Sequence, residues 1–285
     1  MQRIDGKALS NKIKENIKVE TTQLIEEQNI VPGLAVVIVG DDPASRAYVG
    51  MKAKACKAVG FYSIVHEMPE TITQDEIIET IKMMNNNPRI DGILVQLPLP
   101  KQIDTNKILE VIDPAKDVDG FHAYNVGRLT TGLDSFVACT PLGVMEMFKE
   151  YNIDLQGKDV CVVGASNIVG KPMASLLLNA NATVTVTHIF TKDLKAHTSK
   201  ADIVVVGVGV PKLIKEDMVK KGAIVIDIGI NRIEDGSLVG DVDFENVSKK
   251  CSYITPVPGG VGPMTIAMLL SNTLKSAKNR LSKEN

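Results

Sequence analysis

Apolar positions along this chain follow two alternating rhythms. Leu9, Ile13, Ile17 and Leu24 fall at helical spacing, which predicts an amphipathic helix over Lys7–Gln28. Pro32-Gly33 breaks it, and Leu34–Val39 is then apolar without interruption, the pattern of a strand covered on both faces. Gly40-Asp41-Asp42-Pro43 reads as a turn into a second helix that runs to about Val59, with Gly60 suited to the position just past its end. Ser63–Met68 reads as the next strand. Thr73-x-x-Glu76 is a capping-box pattern opening a helix that Asn85-Asn86-Asn87-Pro88 ends. Gly92–Leu97 is a third strand, closed by Pro98-Leu99-Pro100, and another helix covers roughly Thr105–Ile112. Asp113–Asp134, rich in Gly, Asp and Asn, reads as loop.

The rhythm then restarts. Thr140-Pro141 predicts a helix start, with Thr140 as N-cap and Pro141 at the first helical position. Strands are expected at Val160–Val163, Thr183–Thr187, Ile203–Val206 and Ala223–Ile228, with short helical segments between them. Tyr253–Thr265 reads as a rigid, Gly-rich loop, and a last helix covers about Pro263–Lys278. Strands alternating with helices imply parallel sheets, whose active residues gather at the carboxyl ends of strands. The chain therefore divides into two α/β units near Thr140, the second of Rossmann type.

Composition removes several function classes. The 285 residues suffice for two domains, and 44% hydrophobic with 23% charged residues is ordinary for a globular protein. A net charge of −2 argues against a nucleic-acid surface. Apolar runs such as Ile203–Val206 are far too short to span a bilayer, and the polar stretch Met1–Gly6 reads as no signal peptide. Cys56, Cys139, Cys161 and Cys251 lie far apart, so buried thiols in a reducing cytoplasm are expected, with neither metal nor disulfide.

Five places could carry chemistry. In Val160–Pro172, Gly164 permits a tight turn after an apolar run, and the amides opening the next helix could hold a pyrophosphate. The dinucleotide pattern is imperfect, because Ser166 replaces the second glycine and Gly170 comes one residue late. Tyr48 and Lys52 are four apart and share a helix face. A lysine whose pKa is lowered by its surroundings can serve as an acid or base, but this helix also carries Lys54 and Lys57, and a surface lysine near a tyrosine is commonplace. Gln96 ends an apolar strand, where it could hold a ligand or simply cap its own strand. Asp119, in Asp117-Val118-Asp119-Gly120, could grip a flat N–C–N group or make an Asx-turn. Pro258-Gly259-Gly260-Val261-Gly262-Pro263 suits backbone held close to a ligand, or a tight connection. No acid follows the second strand of the Rossmann unit, which reads Thr187-His188-Ile189, while Lys171 and Lys192 are close in sequence. That leans toward NADP over NAD.

With these residues laid out, the chain resembles the bifunctional methylene-tetrahydrofolate dehydrogenase/cyclohydrolase family over its whole length. The motifs are Asp5-Gly6-Lys7, Tyr48-Val49-x-x-Lys52, Asp91–Pro100, Lys116–Gly120, Gly164–Pro172, Val225–Asn231 and Pro256–Thr265, long and in order. The resemblance implies Lys52 as catalytic lysine, Tyr48 supporting the folate, Gln96 working with the lysine and Asp119 holding the pterin. It implies Gly164, Ala165, Ser166 and Ile230 along the dinucleotide, joined by Ile189 and Lys171. Leu97, Pro98 and the loop Pro258, Gly259, Gly260 and Val261 would border the folate. Ala165 and Ile189 depart from relatives that place an arginine or serine there to read a ribose phosphate. NADP is the expected cofactor, with NAD as the alternative and no metal. The implied fold has a three-layer α/β folate domain at 1–139, completed by the last helix at about 264–285, and a Rossmann-type domain at 140–263. An active cleft would lie between them. A cytoplasmic homodimer is implied as well, with no membrane or nucleic-acid partner. A dehydrogenase without the hydrolytic step is the competing reading, disfavoured by the intact Tyr48, Lys52 and Gln96.

Overall fold

The chain opens with a short strand, β1 (Gln2–Arg3), and a long helix, α1 (Gly6–Gln28). Then β2 (Gly33–Val39), α2 (Pro43–Ala58), β3 (Tyr62–Met68), α3 (Gln74–Asn85), β4 (Gly92–Val95), α4 (Thr105–Val111) and α5 (Ala123–Thr130) follow. Next come α6 (Cys139–Glu150), β5 (Asp159–Val163), α7 (Gly170–Asn179), β6 (Thr183–Thr187), α8 (Leu194–Thr198), β7 (Ile203–Val206) and, after a 3₁₀ turn at Glu216–Met218, β8 (Ile224–Asp227). The chain ends with β9 (Asn231–Arg232), β10 (Leu238–Val239), α9 (Phe244–Val247), β11 (Tyr253–Ile254) and α10 (Val261–Glu284). This computed structural model describes residues 1–284, so Asn285, the expected end of the last helix, lies outside the described residues.

Two compact units account for the chain. One comprises 12–128, 134–137 and the chain from Ile266 onward. Its sheet has the order β3-β2-β4, all parallel. Every residue of β2 is buried, as its unbroken apolar run requires. Ala35, Val37 and Val39 pack with Ile77 and Ile81 of α3 and Ile108 of α4. The alternate residues Leu34, Val36 and Ile38 are equally buried on the opposite face. Side chains cap two helices of this unit, the second by the capping box that the sequence predicts. Asp42 accepts from Ser45 N at 2.7 Å, and Thr73 and Glu76 complete a reciprocal capping box. Within this unit α10 is tied down by buried polar groups. Asn272 Nδ2 donates to Val118 O at 2.8 Å, and Ser276 Oγ donates to Asp91 O at 2.6 Å. Lys116 Nζ donates to Asn85 O and Asn87 O at 2.7 and 2.9 Å, a cation set on the carbonyl end of α3.

The other unit comprises 1–11, 129–133 and 138–265. Its parallel sheet has the order β1-β11-β8-β7-β5-β6. Val204, Val206 and Val225 pack with Ile214, Val219 and Val247 on one face. A small antiparallel pair, β9 with β10, sits beyond β8 in sequence.

Four sequence expectations change here. Asp113–Asp134 is not all loop, because it holds α5. His122 Nδ1 accepts from Tyr124 N at 3.0 Å, and Leu129 is buried, so polar residues that looked loop-forming serve as its cap. Thr140 is not the cap of α6. That helix starts at Cys139 after Ala138 without a side-chain cap, and the Thr140 hydroxyl is shared with the Thr265 hydroxyl at 2.9 Å. Tyr253–Thr265 is only partly loop. Tyr253–Ile254 is laddered between β8 and β1, and α10 begins at Val261. Gln2–Arg3 forms an edge strand that two residues of sequence could not signal.

Candidate functional site

The lysine is placed by α2. Asp42 and Pro43 start this helix, and four residues of spacing put Lys52 one turn beyond Tyr48. Lys52 is 6% exposed, unlike the neighbouring Lys54 and Lys57 on the same helix. Its Nζ donates to Gln96 Oε1 at 2.9 Å and lies 5.6 Å from the Tyr48 ring centroid. Gln96 follows β4, one residue past the last strand position, and its backbone N still donates to Val37 O at 2.8 Å. Its Nε2 donates to Leu97 O at 2.7 Å, which fixes the amide with its oxygen toward the lysine. Leu97 and Pro98 come next, joined by a cis peptide bond. The structure thus brings Tyr48, Lys52 and Gln96 together. Burial pushes the Tyr48 phenol up, so it stays protonated.

In the Asp-Val-Asp-Gly segment the first carboxylate is the more deeply buried. Asp117, 1% exposed, accepts from Phe121 N at 3.2 Å, His122 N at 2.9 Å and Asn125 Nδ2 at 2.8 Å. Asp117 thereby anchors the entry to α5. Asp119, two residues on, is half-buried.

In the other unit the turn after β5 explains its displaced glycines. Gly164 has φ +115°, and a Cβ there would stand 2.8 Å from the Gly207 carbonyl oxygen. Gly170 opens α7, and a Cβ there would stand 2.0 Å from the Gly164 carbonyl oxygen. The late glycine is thus required by backbone against backbone, the packing role of a third dinucleotide glycine. Ser166 Oγ accepts from Val169 N at 3.1 Å and Gly170 N at 3.4 Å, serving the helix start directly. Gly164, Ala165, Ser166 and Lys171 therefore cluster at the carboxyl end of β5. Lys171 Nζ donates to Asn167 Oδ1 at 2.7 Å, on the exposed surface.

Ile189 and Ile230 follow β6 and β8, strands on either side in the order β8-β7-β5-β6. Ile189 is 92% exposed and Ile230 47%, high values for branched aliphatic residues at strand ends. The proline–glycine loop is used partly for packing. Gly259 O accepts from Lys7 N at 3.0 Å, Gly260 O abuts Gly6, and Val261 is buried at the start of α10. Val257–Pro258 is cis.

Sequence reasoning missed two buried carboxylates at this end of the sheet. Asp227 closes β8, and Asp241 lies after β10; they are 3% and 0% exposed. Burial pushes Asp227 up to about 7, against the pull of backbone amides from Val242, Asp241 and Gly229. An acid ending an apolar strand run was the available signal. The four cysteines are buried and free, and burial pushes Cys56 up to about 12 and Cys161 up to about 11, which makes them poor nucleophiles. Among the described residues no helix is long and apolar enough to cross a membrane, and no cluster of three metal-ligating side chains occurs.

A buried amine held by an amide and an aromatic ring, in a chain that also carries a dinucleotide-type glycine turn, defines an α/β enzyme that combines proton transfer with nucleotide-dependent chemistry. The tetrahydrofolate dehydrogenase/cyclohydrolase profiles agree: the catalytic domain matches residues 4–119 and the NAD(P)-binding domain residues 138–281. The chain is 84% identical over 280 residues to the bifunctional protein FolD of Sulfurovum sp., covering 98% of this chain and 100% of that one. The bifunctional FolD crystal structure from Campylobacter jejuni superposes with a TM-score of 0.96 at 59% identity, covering 98% and 99% of the two chains. The Trypanosoma brucei dehydrogenase-cyclohydrolase, solved with NADP and an inhibitor, gives 0.95 at 39% identity, covering 98% of each. The chain belongs to the tetrahydrofolate dehydrogenase/cyclohydrolase family.

Proposed function

We propose that Tyr48, Lys52, Gln96 and Asp119 form the folate-handling site of this bifunctional enzyme. The enzyme oxidises 5,10-methylenetetrahydrofolate to the 5,10-methenyl form and hydrolyses that to 10-formyltetrahydrofolate. NADP, when bound, takes up the hydride that leaves the methylene carbon. The remaining chemistry belongs to side chains. Water adding to the methenyl carbon must lose a proton, and the ring nitrogen that departs must gain one. Lys52 Nζ is the group that moves them. Gln96 Oε1 takes one of its hydrogens at 2.9 Å and so directs the rest of the nitrogen. Tyr48 offers a ring face for the folate and a phenol beside the amine. Asp119 suits the paired N–H groups of a pterin, accepting both at once. Leu97, Pro98 and the Pro258–Val261 loop would border the same substrate.

The observation that carries this reading is the buried Lys52–Gln96 hydrogen bond beside Tyr48. A lysine there without a task would leave a costly charge out of water. The test is Lys52→Met, followed by methenyl-folate hydrolysis without nucleotide and by folate binding. Loss of hydrolysis with binding retained is expected, a fall of roughly 10²–10⁴ in rate for a lost acid–base group. Retained hydrolysis would remove Lys52 from the mechanism.

NADP is the cofactor, and we assign Gly164, Ala165, Ser166, Lys171, Ile189 and Ile230 to its binding. The cradle at Gly164, which any side chain would fill, suits a pyrophosphate approaching backbone amides. Parallel assays with NADP and NAD measure how Ala165 and Ile189 affect the choice. We assign folate binding to 1–139 with the helix from about 264, and the nucleotide to 140–263. We further propose a homodimer. The outer edge of β3 pairs with no strand among the described residues, and a second copy would cover it. A light-scattering mass of a single chain would refute this. Four free, buried thiols agree with a reducing compartment, and we place the enzyme in the cytoplasm.

A further inference from the structure

Two carboxylates are buried together beneath the loops that follow β7 and β8. Asp241 Oδ2 accepts from Val208 N at 2.6 Å and Gly209 N at 3.0 Å, and its Oδ1 accepts from Asn231 Nδ2 at 2.8 Å. Val208 and Gly209 belong to the loop after β7, and Asn231 directly follows Ile230. The loop after β7 abuts the glycine turn. A Cβ on Gly164 would meet the Gly207 carbonyl oxygen at 2.8 Å and the Val208 side chain at 3.1 Å. One side chain therefore ties the loop beneath the glycine turn to the loop that bears Ile230.

Asp227 fixes Asp241 in turn. It accepts from Asp241 N at 3.0 Å, Gly229 N at 3.0 Å and Val242 N at 2.9 Å, and its own N donates to Thr255 Oγ1 at 2.7 Å. A buried carboxylate is costly unless its lone pairs are filled, and three donors fill most of those of Asp241. Successive amides aimed at one oxygen form a rigid anion nest, here occupied by the protein's own side chain.

We propose that Asp241 is a positioning residue of the dinucleotide site, acting through Val208, Gly209 and Asn231 on the loops beside Gly164 and Ile230. The proposal rests on the reading that those loops line NADP. Its chemistry is asymmetric. An amide in place of the carboxylate keeps one oxygen and gains an NH2 group. Turned toward the two backbone amides, that group sets donor against donor; turned toward Asn231, it is met only if the Asn231 amide flips and gives up its bond to Val239 O. In either case a bond at one of the two loops is lost. Lys52 and Gln96 belong to the other compact unit, where they bond each other.

The test compares wild type, Asp241→Asn, and the exchange of Asp241→Asn with Asn231→Asp. In the exchange, the amide at 241 gives its oxygen to Val208 and Gly209 and its NH2 to the carboxylate at 231, which restores the bonds to both loops and forgoes only the long Asn231 Nδ2 bond to Val239 O at 3.4 Å. NADP affinity by calorimetry, KM and kcat of the oxidation, and nucleotide-free methenyl hydrolysis are read together. Asp241→Asn is expected to weaken NADP about tenfold or more, as losing bonds to a buried charged acceptor should. Hydrolysis should stay as in wild type, and the exchange should recover most of the affinity. Wild-type NADP affinity in Asp241→Asn would overturn the proposal. Equal loss of both activities that the exchange does not restore would also overturn it, because Asp241 would then be a general brace. The nucleotide-site reading fails separately, if Gly164→Val binds NADP as wild type does.

Discussion

Replacing Gly170 with alanine adds one methyl group at the tightest point of the nucleotide turn. The added carbon would lie 2.0 Å from the Gly164 carbonyl oxygen, 2.6 Å from its carbon and 2.9 Å from Ala165 Cα. All three are backbone atoms, so no side chain can swing aside. Either α7 lifts away from β5 or the Gly164–Ala165 backbone moves outward. Overpacking of this kind costs about 1–3 kcal/mol. If the turn relieves that strain by moving, NADP affinity falls by roughly 5–150-fold, the same free energy expressed as an equilibrium constant. Calorimetric titration of NADP, with thermal unfolding on the same samples, measures both routes. The matched control is Gly127→Ala in α5, where an added Cβ meets no atom within 4 Å. There alanine should be neutral or stabilise by up to about 1 kcal/mol, because glycine is a poor helix former. A Gly170→Ala protein with wild-type affinity and wild-type melting temperature would refute the close-packing account of the late glycine. It would also undercut the assignment of this turn to the dinucleotide.

Two further expectations follow from the buried carboxylates. Asp117→Ala strands three donors, from Phe121, His122 and Asn125, each costing about 1–3 kcal/mol when unpaired; the melting temperature should fall and the folate KM should rise, and unchanged values of both would free Asp119 from any dependence on Asp117. Asp227 is raised to about 7, chiefly by burial and further by the Asp241 charge, so between about pH 4 and 7 the native state holds a proton that the unfolded chain has released. Its contribution to stability is therefore full at low pH and is lost as pH rises through about 7, at up to ~1.4 kcal/mol per pH unit. Urea unfolding of wild type and Asp227→Asn across that window should show this slope only in wild type, and parallel profiles would contradict it.

What the sequence determined by itself was periodic or chemically punctuated. The unbroken apolar runs of β2, β5 and β7 could only be doubly covered strands, and the parallel sheets followed from the helices between them. Thr73 and Glu76 announced a helix start because capping is a local interaction between a side chain and an amide three residues away. Tyr48 and Lys52 could be placed on one face from spacing alone. Tertiary structure decided whatever depended on partners distant in sequence. Gln2–Arg3 and Tyr253–Ile254 are too short to carry a period and become strands only because β8 supplies hydrogen bonds to Tyr253–Ile254, which in turn supplies them to Gln2–Arg3. Thr140 had the chemistry of a cap, yet its hydroxyl is shared with Thr265, 125 residues away. Spacing could not show whether Lys52 was an ordinary surface cation. Its burial, and the Gln96 oxygen 44 positions on, separate it from Lys54 and Lys57. Asp117 and Asp119 look alike in sequence, and only the fold shows that Asp117 is buried among three amide donors. Local propensity is written within a few residues, whereas the chemistry of a site depends on which distant groups exclude water and share hydrogens, and the folded chain alone sets that.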